Sequence, residues 1–164
     1  MQATLSDQTH LLVEKTSIGD VCQEINSGQK AFFAGRHFNA GEVISSFAAG
    51  EIHHTPSYLT LQIDDHKHIM LSPTYLQYIN HSCNPNSFFD TTNLNLVALR
   101  DIAINEELSF FYPSTEWDMD QPFVCNCRHQ DCLGVIRGAK HLNDQQIQGY
   151  RVNQYVLRKR REQQ

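Results

Sequence analysis

Three cysteines crowd one short stretch: Cys125-Asn126-Cys127, then Cys132 five positions later. Thiolates at that density suit zinc, which takes four N or S ligands in a tetrahedron, and a loop that doubles back delivers three of them. Gly134 frees the exit turn. Asn126, Arg128, His129, Gln130 and Asp131 are poor core formers, so chelation here is a folding interaction and not a catalytic one. Spacing leaves the fourth ligand open between Cys83, Cys22 and a histidine such as His129. The chain has five cysteines, and an odd count fits intracellular metal binding better than a disulfide framework. Cys22 stands apart and reads as a small core residue.

The densest polar run is Tyr78-Ile79-Asn80-His81-Ser82-Cys83-Asn84-Pro85-Asn86. Its amides, imidazole and hydroxyl follow apolar residues that anchor the run in a core, and buried polar groups need partners. It is either a ligand-facing loop or an ordinary hydrogen-bonded turn, and the run by itself does not decide.

The elements that must position these groups are short. Residues 11–13, 31–34 and 43–47 read as strands, interrupted by Gly19, Gly28, Gly35 and Gly41. Residues 58–63 alternate, with Tyr58, Thr60 and Gln62 on one face and Leu59, Leu61 and Ile63 on the other, the pattern of a half-buried strand. Asp64-Asp65 predicts a turn before a strand at 68–71, and Pro73 opens a helical turn through Tyr78 with Ser72 as cap. Residues 94–99 and 108–112 read as strands, the second ended by Pro113. One substantial helix is expected at the end, capped by Asn143 with Gln146 at the capping-box position and running to about Arg160, with Gly149 as its weak point. The fold class is mostly β with a C-terminal helix.

Composition bounds the rest. The 164 residues are 40% hydrophobic and 19% charged, the size and apolar content of one ordinary domain, and no apolar run approaches a membrane span. The start, MQATLSDQTHLLVEK, lacks the basic beginning and apolar run of a secretory signal. A soluble intracellular domain is expected, cytoplasmic or nuclear, with no membrane binding. The net charge of −5, with basic residues scattered until Arg158, Lys159, Arg160 and Arg161, predicts no direct nucleic-acid binding. That final cluster reads as the solvated basic end of a helix.

Taken together, YINHSCNPN at 78–86, VALRDIAINEELSFFY at 97–112 and CNCRHQDCLG at 125–134 resemble the SET-domain protein-lysine methyltransferases, post-SET cysteine loop included. AFFAGRHFNAGE at 31–42 is similar to that family's first motif. The resemblance covers roughly residues 10–140 and divides the chain into a SET domain at 10–113, a post-SET zinc-binding segment at 114–138 and a helical extension at 139–164. It implies small curved β-sheets around a pseudo-knot. It also implies S-adenosylmethionine on one face, a lysine channel from the other, and a structural zinc. On this pattern Asn80, His81, Ala31, Phe33 and Phe123 lie at the cofactor, Tyr112 and Tyr58 are the catalytic tyrosines, and Cys83 joins Cys125, Cys127 and Cys132 around zinc.

The implied partner is a protein with an accessible lysine, a histone-like tail among the candidates, and a homodimer is a further expectation. A small amino compound is the alternative substrate, and a catalytically inactive zinc-containing interaction module the alternative from another class. The chain departs from the family in two places. Gln29 and Ala31 stand where the first motif carries Gly-x-Gly, with Gly28 displaced, and Phe111 stands where an Asp often precedes the tyrosine. The segment between the first motif and Asn80 is also short, leaving little to build one wall of a peptide groove.

Overall fold

The computed structural model describes residues 9–163; most of the N-terminal stretch read above as lacking a signal lies outside them. The described chain is built from short strands grouped in five small sheets, with two helices at the end. β1 (His10–Lys15), β2 (Gly19–Glu24) and β3 (Lys30–Ala34) form a meander. β3 is buried along almost its whole length, which matches its unbroken apolar run Ala-Phe-Phe-Ala. β2 and β3 meet closely at Gly19, where a Cβ would fall 2.0 Å from Phe33 O. No other residue fits there.

β4 (Val43–Ser46) pairs with β10 (Asn95–Ala98), which pairs in turn with β9 (Ser87–Asp90). β5 (Ala48–His53), β6 (Thr60–Asp64) and β7 (Lys67–Ser72) form the third sheet, with β7 in the centre. These sheets close on one apolar core that includes Phe32, Phe38, Ile69, Ile79, Phe89, Leu96, Ile102 and Leu108. Among the described residues no helix is long and apolar enough to cross a membrane.

Two short strands position Asn80 and His81. β8 (Asn80–His81) and β11 (Ser109–Phe110) run parallel, Asn80 opposite Ser109 and His81 opposite Phe110. All other strand pairs among the described residues are antiparallel. A parallel pair cannot come from a hairpin, so the segment between must leave and return. Buried Asn86 fixes the return: its Oδ1 accepts from Ser109 N at 2.8 Å and its Nδ2 donates to Glu107 O at 2.8 Å. The cysteine loop then lies between β12 (Phe123–Val124) and β13 (Val135–Ile136), an antiparallel pair.

Several expectations shift. The strand predicted from Tyr58 begins at Thr60, with Tyr58 in the preceding turn. Gln62 is buried rather than outward-facing, because its amide bridges two segments: Oε1 accepts from Trp117 N while Nε2 donates to Asp64 O and Asp65 O. The turn Thr74–Tyr78 is a 3-10 helix with Pro73, not Ser72, at its N-cap and no side-chain cap bond. The expected strand 108–112 is reduced to β11, and Tyr112 opens a 3-10 turn, Tyr112–Ser114.

The single C-terminal helix is two, α1 (Asp144–Gln148) and α2 (Gln154–Glu162). Asn143 and Gln146 form the expected capping box, and the break begins at Gly149. Tertiary bonds then claim the residues that would have continued the helix. Tyr150 stacks on Phe111 at 3.6 Å and 4° and donates its hydroxyl to Cys83 O. Buried Asn153 donates to Phe89 O and Ser114 O and accepts from Thr91.

Candidate functional site

The thiols of Cys83, Cys125, Cys127 and Cys132 lie within 4.8 Å of one another. Cys83 Sγ is 3.9 Å from Cys125 Sγ and 4.0 Å from Cys132 Sγ. A tetrahedron with Zn–S bonds of about 2.3 Å has S–S edges of about 3.8 Å, so this donor set fits zinc in both kind and spacing. Leu133 N points at Cys83 Sγ and Cys127 N at Cys125 Sγ, and such donors favour the thiolate form. Gly134 turns the chain at φ 76° after the loop, and Arg128 adopts φ 58° within it. His129 is turned to its own loop, its Nδ1 accepting from Asp131 N, and Cys22 is buried with Ala31 and Phe33. The open question of the fourth thiol is answered by Cys83.

His81 joins this cluster to the rest of the site. Its Nδ1 accepts from Tyr112 N at 3.2 Å, and its Nε2 lies 3.3 Å from Cys83 Sγ. An acceptor at Nδ1 places the ring proton on Nε2, aimed at the sulfur. Burial pushes the imidazole down to about 4, so it is neutral at physiological pH. Phe111, Tyr112 and Phe123 surround it with ring centroids at 5.7, 5.3 and 5.6 Å. Beside it, Asn80 Nδ2 donates to Lys30 O at 2.9 Å and to Glu107 Oε1 at 3.3 Å, which ties β8 to β3.

These residues open onto one cleft of about 1000 Å³. Ala31, Asn80, His81, Tyr112, Phe123 and Tyr58 line it, together with Cys125 and Cys127 from the cysteine loop. Its volume is at the upper end for a small-molecule site, and its mixed apolar and polar wall is of the usual kind. Tyr112 is half-buried and packs against Phe110 at 4.7 Å and Phe123 at 5.8 Å. Burial, with the charges of Glu116 and Glu107 adding, holds its phenol well above the ordinary tyrosine range. Tyr58 is 75% exposed at the mouth. Phe33 does not line the cleft; it is buried beneath it with Ala31, its ring edge against His10.

The sequence reading missed two carboxyls on this wall. Glu116 is buried and lines the cleft, its Oε1 accepting from Gln62 N at 2.9 Å and Thr115 Oγ1 at 3.1 Å. Burial pushes it up to about 7 against those hydrogen bonds. Glu107 is also raised by burial, with the Asn80 amide and His10 opposing. The available signal was their setting: Glu116 stands between Thr115 and Trp117, and Glu107 directly before the apolar run from Leu108, where an acid has no solvent to face. Phe111, by contrast, is accounted for. It fills the slot under Tyr150 and is buried there.

The sequence model described as "SET domain" matches residues 29–113. Methyltransferase flvH of Aspergillus flavus is 45% identical over 83 residues, 49% of this chain and 47% of that protein. An H3 lysine-36 specific histone-lysine N-methyltransferase of Aspergillus oryzae is 37% identical over 68 residues, 38% of this chain and 7% of its own. The probable histone-lysine N-methyltransferase set-23 of Caenorhabditis briggsae is 33% identical over 63 residues, 34% and 26% of the two chains. The chain thus spans about half the length of the first relative and far less of the others.

Among solved structures, KRYPTONITE in complex with mCHG DNA and SAH superposes with a TM-score of 0.53 at 20% identity, over 69% of this chain and 27% of that one. This is a likeness of fold. It also corrects the expectation of no direct nucleic-acid binding, because a chain of the same fold is captured on DNA. Net charge sums over a whole surface and does not exclude a local contact.

Proposed function

The chain belongs to the SET domain family, and on that premise we propose that it transfers a methyl group from S-adenosylmethionine to the side-chain amine of a lysine in a protein. The observation that carries this is the single cleft that gathers Asn80, His81, Ala31 and Phe123 with Tyr112 and Tyr58. When bound, S-adenosylmethionine supplies a methyl group on a positively charged sulfur. Asn80, His81 and Ala31, with Phe123 above them, would hold it; Ala31 is a small side chain seated on Phe33. Gln29 is exposed at the rim, so the lost Gly-x-Gly leaves the wall beside Ala31 open.

Tyr112 keeps its proton across the physiological range. It therefore offers a neutral hydroxyl and an aromatic face, and its contribution is alignment and electrostatics. Tyr58 adds a second ring where the amine enters. Cys83, Cys125, Cys127 and Cys132 would hold a structural zinc that orders the loop following Phe123, and His81 Nε2 links the Cys83 sulfur to the cleft.

Zinc-loaded protein titrated calorimetrically with S-adenosylmethionine, then incubated with labelled cofactor and core histones or ribosomal-protein extract, tests the assignment. Binding followed by label on a lysine is the expected result, and a zinc-loaded protein that binds no cofactor overturns it. The open mouth at Tyr58 favours one second reading, a small amino compound as acceptor. Label that passes to free lysine or simple alkylamines and never to protein selects that reading.

A further inference from the structure

Glu116 is a charged group that neither the zinc cluster nor the tyrosine pair accounts for. It follows directly on the Tyr112 turn, its N–H donating to Tyr112 O at 2.9 Å, and only 8% of it is exposed. Both side-chain hydrogen bonds fall on Oε1. Among the described residues no donor reaches Oε2, and no lysine or arginine pairs with the carboxyl. Its orientation is fixed from behind by β6, whose Gln62 is itself locked to Trp117 and the Asp64-Asp65 turn. Thr60 and Leu61 of the same strand line the cleft together with Glu116. A buried carboxyl without a cation is costly, and an ammonium entering the cleft would complete this one.

We propose that Glu116 anchors the incoming substrate ammonium through Oε2 and accepts its proton, so that the amine stands neutral beside Tyr112. The proposal rests on the amine-methylating reading above. One N–H bond breaks, an O–H bond forms on Oε2, and the nitrogen keeps the electron pair. The proton then leaves to solvent through the cleft mouth. A carboxyl pushed up to about 7 by burial is a stronger base than an ordinary glutamate and still releases its proton near neutral pH, and desolvation of the ammonium in the cleft lowers the amine's own pKa towards it. The other titratable groups around it are Tyr112 on the same segment, Glu107 on the cleft wall and Tyr155 of α2. Lys159, Lys140 and His141, on elements nearby, are paired with Asp65 and Asp118.

The test uses n-butylammonium as a stand-in for a lysine side chain, with the zinc-loaded protein and its Glu116→Gln variant. Gln keeps an acceptor for Gln62 and Thr115 but carries no charge. Binding followed by NMR should weaken at least tenfold in E116Q, while S-adenosylhomocysteine affinity stays within twofold. In the wild type, one carboxyl resonance of 13C-glutamate-labelled protein should titrate near 7 and shift on adding n-butylammonium. That measurement stands even if E116Q fails to fold. Equal n-butylammonium affinity in both proteins, or no carboxyl that responds to it, overturns the proposal. If the wild type binds n-butylammonium through Glu116 yet methylates nothing, the methyltransferase reading falls and the amine site stands. If it methylates protein lysine while E116Q keeps the same kcat/KM and the same acid limb of its pH profile, the reaction stands and the amine site falls.

Discussion

Tyr112 is fixed by its neighbours and not by its own hydroxyl. Its N–H donates to His81, its carbonyl accepts from Thr115 and Glu116, and its ring sits between Phe110 and Phe123. Removing the hydroxyl alone should therefore leave all of this in place. We predict that Tyr112→Phe lowers kcat by about 100-fold or more, the scale of one preorganised donor, with S-adenosylhomocysteine affinity unchanged by calorimetry. Glu116 makes the opposite kind of prediction, on stability. Its folded value of about 7 lies above the 4.5 of an ordinary glutamate. Below about 4.5 the carboxyl is neutral in folded and unfolded chains alike, so it costs nothing. As pH rises towards 7 the unfolded chain has ionised while the folded one resists, and stability is lost. E116Q should match the wild type in urea denaturation near pH 4 and exceed it by ~3 kcal/mol at pH 8.

At the scale of elements, Phe111 and Tyr150 show why local reading went only part of the way. The cysteine spacing, the Asn143–Gln146 capping box and the run Ala31-Phe32-Phe33-Ala34 are written in neighbouring residues, and each appears where its pattern places it. The break between α1 and α2 is only half so: Gly149 marks where it begins, but its extent is driven by partners far along the chain, Phe111, the Cys83 carbonyl and the β9 backbone. The parallel pair β8–β11 is likewise a long-range product, and two-residue strands leave no period to detect. Gln62, at a strand position, and Glu116, in the segment after the Tyr112 turn, escaped for a related reason, since a polar residue signals solvent unless its distant partners are known. The stack itself is testable. Phe111→Asp restores the acid common in the family but puts it under the Tyr150 ring, where a buried, unpaired carboxyl costs several kcal/mol. Urea denaturation should show a loss of about 3 kcal/mol, whereas Tyr150→Phe, which keeps the stack and loses one hydrogen bond to Cys83 O, should cost about 1 kcal/mol.

Across the whole molecule, three separate segments meet at Cys83. The loop after β8 supplies its thiol and carbonyl, the cysteine loop surrounds the thiol, and Tyr150 from the C-terminal region holds the carbonyl. Beyond that junction α2 is secured independently: Arg158 and Lys159 pair with Asp64 and Asp65, and Tyr155 and Val156 pack with Trp117 and Ala139. Gly138 makes that packing close, since a Cβ there would fall 2.5 Å from Trp117 O. Loss of metal should thus loosen one corner of the molecule and spare the rest. The two-stranded β12–β13 pair buries little and such a hairpin is marginal without support, so a metal held by the four thiols would be its principal restraint. With Cys127→Ser, metal content by atomic absorption should fall from one zinc per chain to near zero. Hydrogen exchange should then accelerate across residues 123–136 and at the Tyr112 N–H that His81 accepts. Amides of β9 and β10, enclosed in the main core, should keep their protection. Uniform loss of protection would mean that the cluster supports the whole fold and not the lid alone, and unchanged exchange at Tyr112 would mean that His81 does not transmit the state of the zinc corner to the cleft.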